Sequence, residues 1–228
     1  MEDTITLYRT EDSQCPYLPQ KISRMEFIQV ESIPGEFYEV LLSNGFRRSG
    51  KIFYRNTCPD CDECRMMRIP VSLFKPSASQ KRAVRKNPDI HMSVVPAVFR
   101  EDVYTLFHRY SLFKHGKKEN EKNFQDFLCI SPLDTRLTLY HAKDTLVGAG
   151  WLDVLPEGLS SVYFIFDPNY SRRSLGIYSI VQEIELTKSM GLSYYYLGFV
   201  VEDSPKMSYK AQFHPHERLR DGRWITYT

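Results

Sequence analysis

From residue 135 to residue 200 the chain runs strand, strand, strand, helix, strand, and this order restricts the fold more than any other feature of the sequence. Residues 135–140, 145–154 and 160–166 are rich in β-branched and aromatic side chains. Turn signals at Lys143-Asp144 and at Pro156-Glu157-Gly158 separate them. Residues 174–190 carry Ile177, Ile180, Val181 and Ile184 at helical spacing, and Gly191 closes the helix. Residues 194–200 return to strand. A meander followed by a helix and a further strand predicts an α+β fold, with a mixed sheet and flanking helices.

The segments upstream are shorter. A strand is expected at 25–30 and a helix at 35–44, with Phe37, Val40 and Leu41 on one face and Gly45 as its left-handed stop. Strands at 51–54 and 66–71 flank a cysteine loop. Residues 77–86 read as a short basic helix ending before Asn87-Pro88, and 91–95 as a strand. Val103, Leu106, Phe107 and Tyr110 mark a helix over 100–115. A second helix is expected at 120–129, a short helix at 205–212 and a last strand at 223–227. A boundary near residue 97 divides a smaller cysteine-bearing N-terminal domain, 1–97, from a domain at 98–228.

With 228 residues, 42% of them hydrophobic, 15 Tyr and 14 Phe, the chain can bury a large core, which excludes a disordered protein. The net charge of +2 does not by itself suggest a nucleic-acid partner, but its distribution does. Residues 65–86 hold Arg65, Arg68, Lys75, Lys81, Arg82, Arg85 and Lys86 and no acidic residue. Such a run supplies sequence-independent phosphate contacts, unless it is a solvated helix face. No stretch approaches the roughly 18 apolar residues of a membrane span, and the opening Met-Glu-Asp-Thr lacks a leader pattern. A cytoplasmic protein with no membrane partner is expected. In a reducing compartment Cys58-x2-Cys61-x2-Cys64, with Cys15 as a fourth ligand, suits zinc or an iron–sulfur cluster. The alternative is unmetallated cysteines packing a small domain, and Cys129 reads as a buried small hydrophobe.

Three further constellations carry chemistry. At 164–176 a strand ends and a helix begins, so the N–H groups around Ser174, Leu175 and Gly176, with Arg172 and Arg173, suit a phosphate or an oxyanion. Lys206 and Lys210 stand four apart, on one face if helical, with Tyr209 able to stack on a base or close a pocket. Arg47 and Arg48, between Gly45 and Gly50, can bind a carboxylate or phosphate bidentately. Each pattern taken alone is also compatible with an ordinary solvated turn or helix.

The ordered set of Cys15-Pro-Tyr-Leu-Pro, Gly45-Phe-Arg-Arg-Ser-Gly, the cysteine run, Arg68-Ile-Pro-Val, Phe74-Lys-Pro-Ser, Phe166-Asp-Pro, Ser174-Leu-Gly, Tyr196-Leu-Gly-Phe, Ser204-Pro-Lys-Met and Tyr209-Lys-Ala-Gln-Phe resembles the tRNA-dependent aminoacyltransferases of the N-degron pathway. The bacterial aspartate/glutamate leucyltransferases match best, and arginyl-tRNA–protein transferases are their eukaryotic relatives. The resemblance implies an acetyltransferase-like (GNAT-like) fold and transfer of leucine from leucyl-tRNA to proteins with N-terminal Asp or Glu, marking them for degradation. It implies aminoacyl-tRNA as co-substrate and no cofactor required for the transfer. On this reading Arg47, Arg48, Lys206 and Lys210 hold the acceptor's acidic side chain. The loop from Asp167 to Gly176 takes the tRNA 3′ end, with Asp167 on a ribose hydroxyl or the α-amine, and Lys81, Arg82, Arg85 and Lys86 grip the acceptor stem. Asp167, Lys206 and Tyr209 are the expected catalytic residues.

The chain departs from the family in places. Leu18 stands where the eukaryotic relatives carry a second cysteine, and Phe113-Lys-His-Gly-Lys-Lys-Glu is more basic than the bacterial pattern. Arginine from arginyl-tRNA remains an alternative donor. A coenzyme A-dependent N-acetyltransferase is the rival enzyme, although Arg173-Ser-Leu-Gly-Ile-Tyr lacks the last small residue of its loop. A zinc-dependent RNA-binding module is the non-enzymatic reading.

Overall fold

The computed structural model describes residues 5–228; residues 1–4, on which the expectation of no leader rested, lie outside them. The chain opens with β1 (Tyr8–Arg9), the paired β2 (Ser13–Gln14) and β3 (Ile22–Ser23), and β4 (Met25–Gln29). Helix α1 (Gly35–Ser43) leads to β5 (Arg47–Ser49) and β6 (Ile52–Asn56). Strands β1, β4, β6 and β5 make a four-stranded antiparallel sheet in that order.

Then follow β7 (Arg65–Pro70), α2 (Ala78–Arg85), β8 (Ile90–Pro96), α3 (Glu101–His115) and α4 (Glu121–Phe124). The meander is β9 (Thr135–Ala142), β10 (Thr145–Val154) and β11 (Gly158–Phe166). After it come α5 (Leu175–Ser189), β12 (Tyr194–Val200), β13 (His216–Arg220) and β14 (Arg223–Tyr227). An eight-stranded sheet runs β14-β13-β7-β12-β11-β10-β9-β8, with β11–β12 its parallel pair. The α+β plan of a mixed sheet with flanking helices therefore holds. Hydrogen bonding crosses the expected boundary at residue 97, because β7 lies between β13 and β12 and β8 pairs with β9.

Alternation along β10 sends neighbouring side chains to opposite faces. Leu152 packs with Ile180, Val181 and Ile184 of α5. Trp151 packs with Val103, Leu106, Phe107 and Tyr110 of α3, the stripe read from the sequence. Helix α2 starts at a capping box: Ser77 Oγ accepts from the Gln80 N–H at 3.4 Å, and Gln80 Oε1 accepts from the Ser77 N–H at 2.8 Å. No helix among the described residues is long and apolar enough to cross a membrane.

Three local expectations are corrected. Helix α1 buries Tyr38, Leu41 and Leu42, while Phe37 and Val40 are 38% and 56% exposed. Tyr38 meets Phe53 edge-on at 4.8 Å, and that partner turns the helix. The 120–129 helix is α-helical only to Phe124 and widens into a π-type turn over Gln125–Cys129. The 205–212 helix shrinks to a tight 3-10 turn, Ser208–Gln212.

Candidate active site

Strands β11 and β12 pair only where Gly158–Ser160 meets Tyr194–Tyr196. Beyond that point they part, and each carries an irregularity there, around Val162 and around Leu197. A broken ladder leaves backbone carbonyls that need donors. Two cationic side chains supply them. Arg47 Nη2 donates to Ser161 O at 2.8 Å and Val162 O at 3.3 Å, on the β11 side. Lys210 Nζ donates to Leu197 O at 3.0 Å and Phe199 O at 2.9 Å, on the β12 side. Gly198, at φ +83°, makes this possible, because a Cβ there would coincide with the Arg47 guanidinium.

These cations keep unused capacity. Arg47 Nε is buried without a hydrogen-bond partner, and an ammonium has three donors, of which Lys210 spends two on carbonyls. Burial, helped by the Arg47 charge, pulls the Lys210 ammonium down to about 7. Among the described residues neither cation has a carboxylate partner. Their donors therefore suit a guest whose oxygen carries or develops negative charge.

The two cations lie at the floor of a cavity of about 540 Å³. One wall is aromatic: Tyr110, Phe127, Tyr163 and Phe166. Lys114, His115 and Lys206 stand at its mouth, all exposed, and Gly176 brings in the first turn of α5. His115 is held low by partial burial and by the charges of Lys114, Lys206 and Lys117. Glu183, from α5, also lines the cavity. Its carboxyl accepts from Tyr195 Oη at 2.5 Å, Tyr140 Oη at 3.0 Å and Thr138 Oγ1 at 3.5 Å. Burial outweighs these bonds and lifts it to about 7. Gly150 leaves the room, since a Cβ there would stand 2.8 Å from Glu183 Oε1 and 2.6 Å from Thr138 Oγ1.

The structure brings some expected residues together and separates others. Arg47, Lys206, Tyr209, Lys210 and Gly176 all line the cavity, but Lys206 and Lys210 do not share a helix face. Lys206 is exposed at the rim and Lys210 is buried at the floor. Tyr209 is mostly buried, which raises its phenol. Arg48 also borders the cavity, but its Nε and Nη2 each reach Asp153 at 2.7 Å and its Nη1 reaches Gly50 O at 2.9 Å, so most of its donors are spent inside the protein.

Asp167 is not among the cavity residues. Its carboxylate accepts from the Asn169 N–H at 3.0 Å, capping the tight turn Pro168–Arg173, and lies 3.3 Å from Arg109 Nη1. Arg173 pairs with Asp89 and donates to Asn87 Oδ1 at 2.8 Å and to Lys86 O at 3.2 Å, which fastens the turn to the end of α2. Arg172 is exposed, Leu175 is buried and Ser174 adopts a left-handed conformation before α5. Lys81, Arg82, Arg85 and Lys86 are all exposed on or just after α2.

Cys15, Cys58, Cys61 and Cys64 line a separate cavity of about 430 Å³. Among the described residues no three His, Cys, Asp or Glu side chains are grouped to hold a metal ion. Cys15 Sγ accepts from the Leu18 N–H at 3.4 Å, and Cys58 Sγ lies 3.8 Å from Arg24 O. Burial, with the neighbouring thiols of Cys15, Cys58 and Cys61, lifts Cys64 to about 12. The expected metal or cluster finds no support in a grouped ligand set among the described residues. Cys129 is partly buried against the α3 cluster, as a small hydrophobe would be.

Sequence reasoning passed over Glu183, and met Lys114 and Tyr195 only as members of a basic segment and a strand. Glu183 falls three residues after Ile180 on the apolar stripe of α5, and a carboxylate on such a stripe was the available signal.

Comparison with known proteins gives a consistent result. Residues 102–220 match the family model described as "Arginine-tRNA-protein transferase, C terminus", and residues 13–82 match its N-terminus counterpart. An aspartate/glutamate leucyltransferase of Marinobacter nauticus is 34% identical over 226 residues, covering 97% of this chain and 95% of that protein. One from Gluconacetobacter diazotrophicus is 38% identical over 223 residues, covering 95% and 86%. Among solved structures, the C-terminal domain of a lysylphosphatidylglycerol synthetase from Agrobacterium fabrum superposes with a TM-score of 0.53 at 12% identity, covering 86% of this chain and 64% of that one; this is a likeness of fold alone.

Proposed function

Because the chain belongs to the arginine-tRNA-protein transferase family, we propose that it moves leucine from leucyl-tRNA to the N-terminal α-amine of proteins beginning with Asp or Glu. The observation that carries this reading is the parted β11–β12 edge, where Arg47 and Lys210 face a cavity without a carboxylate partner among the described residues.

An aminoacyl ester is already activated, so neither ATP nor a covalent enzyme intermediate is required. The acceptor amine's lone pair forms the new C–N bond at the ester carbonyl. The carbonyl oxygen, now negative, takes hydrogen bonds from Arg47 Nε and the free Lys210 donor. The C–O bond then breaks, its electron pair stays with the ribose oxygen, and a proton from the nitrogen neutralises it. Holding amine and ester together supplies up to about 7–11 kcal/mol of the barrier reduction.

The cavity divides the work. Its apolar aromatic wall takes a leucyl side chain, and the charges of Arg47 and Lys210 in the same cavity oppose a guanidinium, which favours leucine over arginine as donor. Lys206 and Lys114 at the mouth suit the acceptor's Asp or Glu carboxylate, a task moved outward from Arg47, Arg48 and Lys210. Lys81, Arg82, Arg85 and Lys86 suit the acceptor-stem phosphates. Arg172 and the N–H groups of Ser174, Leu175 and Gly176 then guide the 3′ end toward Gly176. Tyr209 closes the cavity beside the reacting atoms. We read the fold as acetyltransferase-like with a cysteine-bearing N-terminal segment, and the protein as cytoplasmic. No step passes through a metal.

The test is a transfer assay with labelled leucyl- and arginyl-tRNA and peptides beginning with Asp, Glu, Arg or Lys, alongside a thermal-shift arm with acetyl-CoA. Leucine on Asp and Glu peptides is the expected outcome. No label on any peptide, or stabilisation by acetyl-CoA alone, would sink the reading.

A further inference from the structure

The scheme above starts from a neutral amine, yet an α-amino group with a pKa near 7.7–8.0 enters largely protonated at neutral pH. A cavity that already holds Arg47 and Lys210 is a poor host for a third cation, so the extra proton must go somewhere. Glu183 is the one carboxyl among the described residues lining that cavity, and the scheme leaves it unused. Its room is kept by Gly150, and its nearest neighbour on the cavity side is the Tyr195 hydroxyl, at 2.5 Å.

We propose that Glu183, through the Tyr195 hydroxyl, takes the proton that the acceptor's α-ammonium must lose before attack. The proposal rests on the aminoacyl-transfer reading. The ammonium gives one proton to Tyr195 Oη as the Tyr195 proton passes to Glu183 Oε2. The amine nitrogen keeps the freed pair and spends it on the C–N bond. Glu183 becomes a neutral acid, and its proton returns to solvent when product leaves. No oxidant or further reactant is needed.

The groups facing Glu183 fit this task. Thr138 and Tyr140 come from β9, Tyr195 from β12 and Tyr209 from the 3-10 turn; all are hydroxyls. Arg47 and Lys210 are the cations that share the cavity, and neither forms an ion pair with it. Three hydroxyl donors favour the carboxylate while burial opposes it, so the group is poised near neutrality, where a general base is most effective.

The experiment is single-turnover transfer of preformed leucyl-tRNA to a peptide with N-terminal Asp, from about pH 5.5 to 9, with wild type, Glu183→Gln and Tyr195→Phe. Transfer by wild type tests the functional reading by itself. The inference expects a rising limb near neutrality in wild type, a rate at neutral pH at least about a hundredfold lower in Glu183→Gln, and in both variants a limb displaced up to the amine's own range near 7.7–8.0. A second acceptor carries an aminooxy group in place of the α-amine, which is unprotonated at neutral pH and needs no base. It should return both variants to within about tenfold of wild type. A merely structural role would not be rescued this way. Should Glu183→Gln fail to fold, Tyr195→Phe carries the test, because the phenyl ring keeps the packing. An unchanged limb in either folded variant, or equal loss with both acceptors, overturns the proposal while leaving wild-type transfer intact.

Discussion

Replacing Arg48 by Met separates its two readings, as an acceptor ligand or as a strut. The guanidinium and Asp153 are 1% and 0% exposed at the side chain, and two bonds of 2.7 Å join them. Met would leave the Asp153 carboxylate buried with the Thr135 hydroxyl, at 2.6 Å, as its remaining side-chain donor. Removing one partner of a buried pair costs about 3–5 kcal/mol. In a chain of 228 residues each kcal/mol lowers Tm by roughly 2–4 °C, so a fall of roughly 6–20 °C is expected by differential scanning calorimetry. The double variant Arg48→Met/Asp153→Leu should regain most of that loss, since an apolar pair can replace a buried ion pair at little net cost. Peptides beginning with Asp or Glu should keep their advantage over other acceptors in whatever activity survives. An Arg48→Met protein that melts within about 2 °C of wild type yet loses preference for acidic acceptors would refute the strut and return Arg48 to the acceptor site.

Four further outcomes follow from the geometry. Gly198→Ala places a Cβ on the Arg47 guanidinium at a left-handed backbone position, so it should lower Tm and depress transfer together, whereas Arg47→Met should depress transfer with a smaller change in Tm. Glu183 has a folded pKa raised from its ordinary 4.5 to about 7, so folding binds a proton in that window and stability falls as pH rises through it, by ~3 kcal/mol in all. Urea titrations of Glu183→Gln across that window should lack the fall. Lys210→Arg, whose guanidinium stays charged, should move the alkaline decline of kcat upward from the neighbourhood of 7, as read from pH–rate profiles. Lys81→Glu/Arg85→Glu should weaken tRNA binding without changing acceptor preference, and should flatten the slope of log K against log salt by roughly 1.4–1.8 in a filter-binding titration.

Much of the fold could be read from local periodicity. Strands 145–154, 194–200 and 223–227 and the inward face of α3 stand where alternation and helical spacing put them. Helix α1 shows why such reading fails when two stripes compete. Residues 37, 40 and 41 and residues 38, 41 and 42 are both apolar, and the tertiary cluster that includes Ile28, Phe53 and Leu155 decides between them.

Composition, spacing and order were enough to read the family, the α+β plan and the residue types available for an acyl-transfer site. Tertiary structure gave two adjacent arginines different partners. A strand turns neighbours to opposite faces, so Arg48 is committed to Asp153, 105 residues away in the chain, and Arg47 to the gap between β11 and β12. It likewise split Lys206 from Lys210, turning a shared helix face into a rim and a floor, because broken strand pairing left carbonyls that only a buried ammonium could reach. The partners in these contacts lie far apart in sequence, and no local pattern records how a sheet opens.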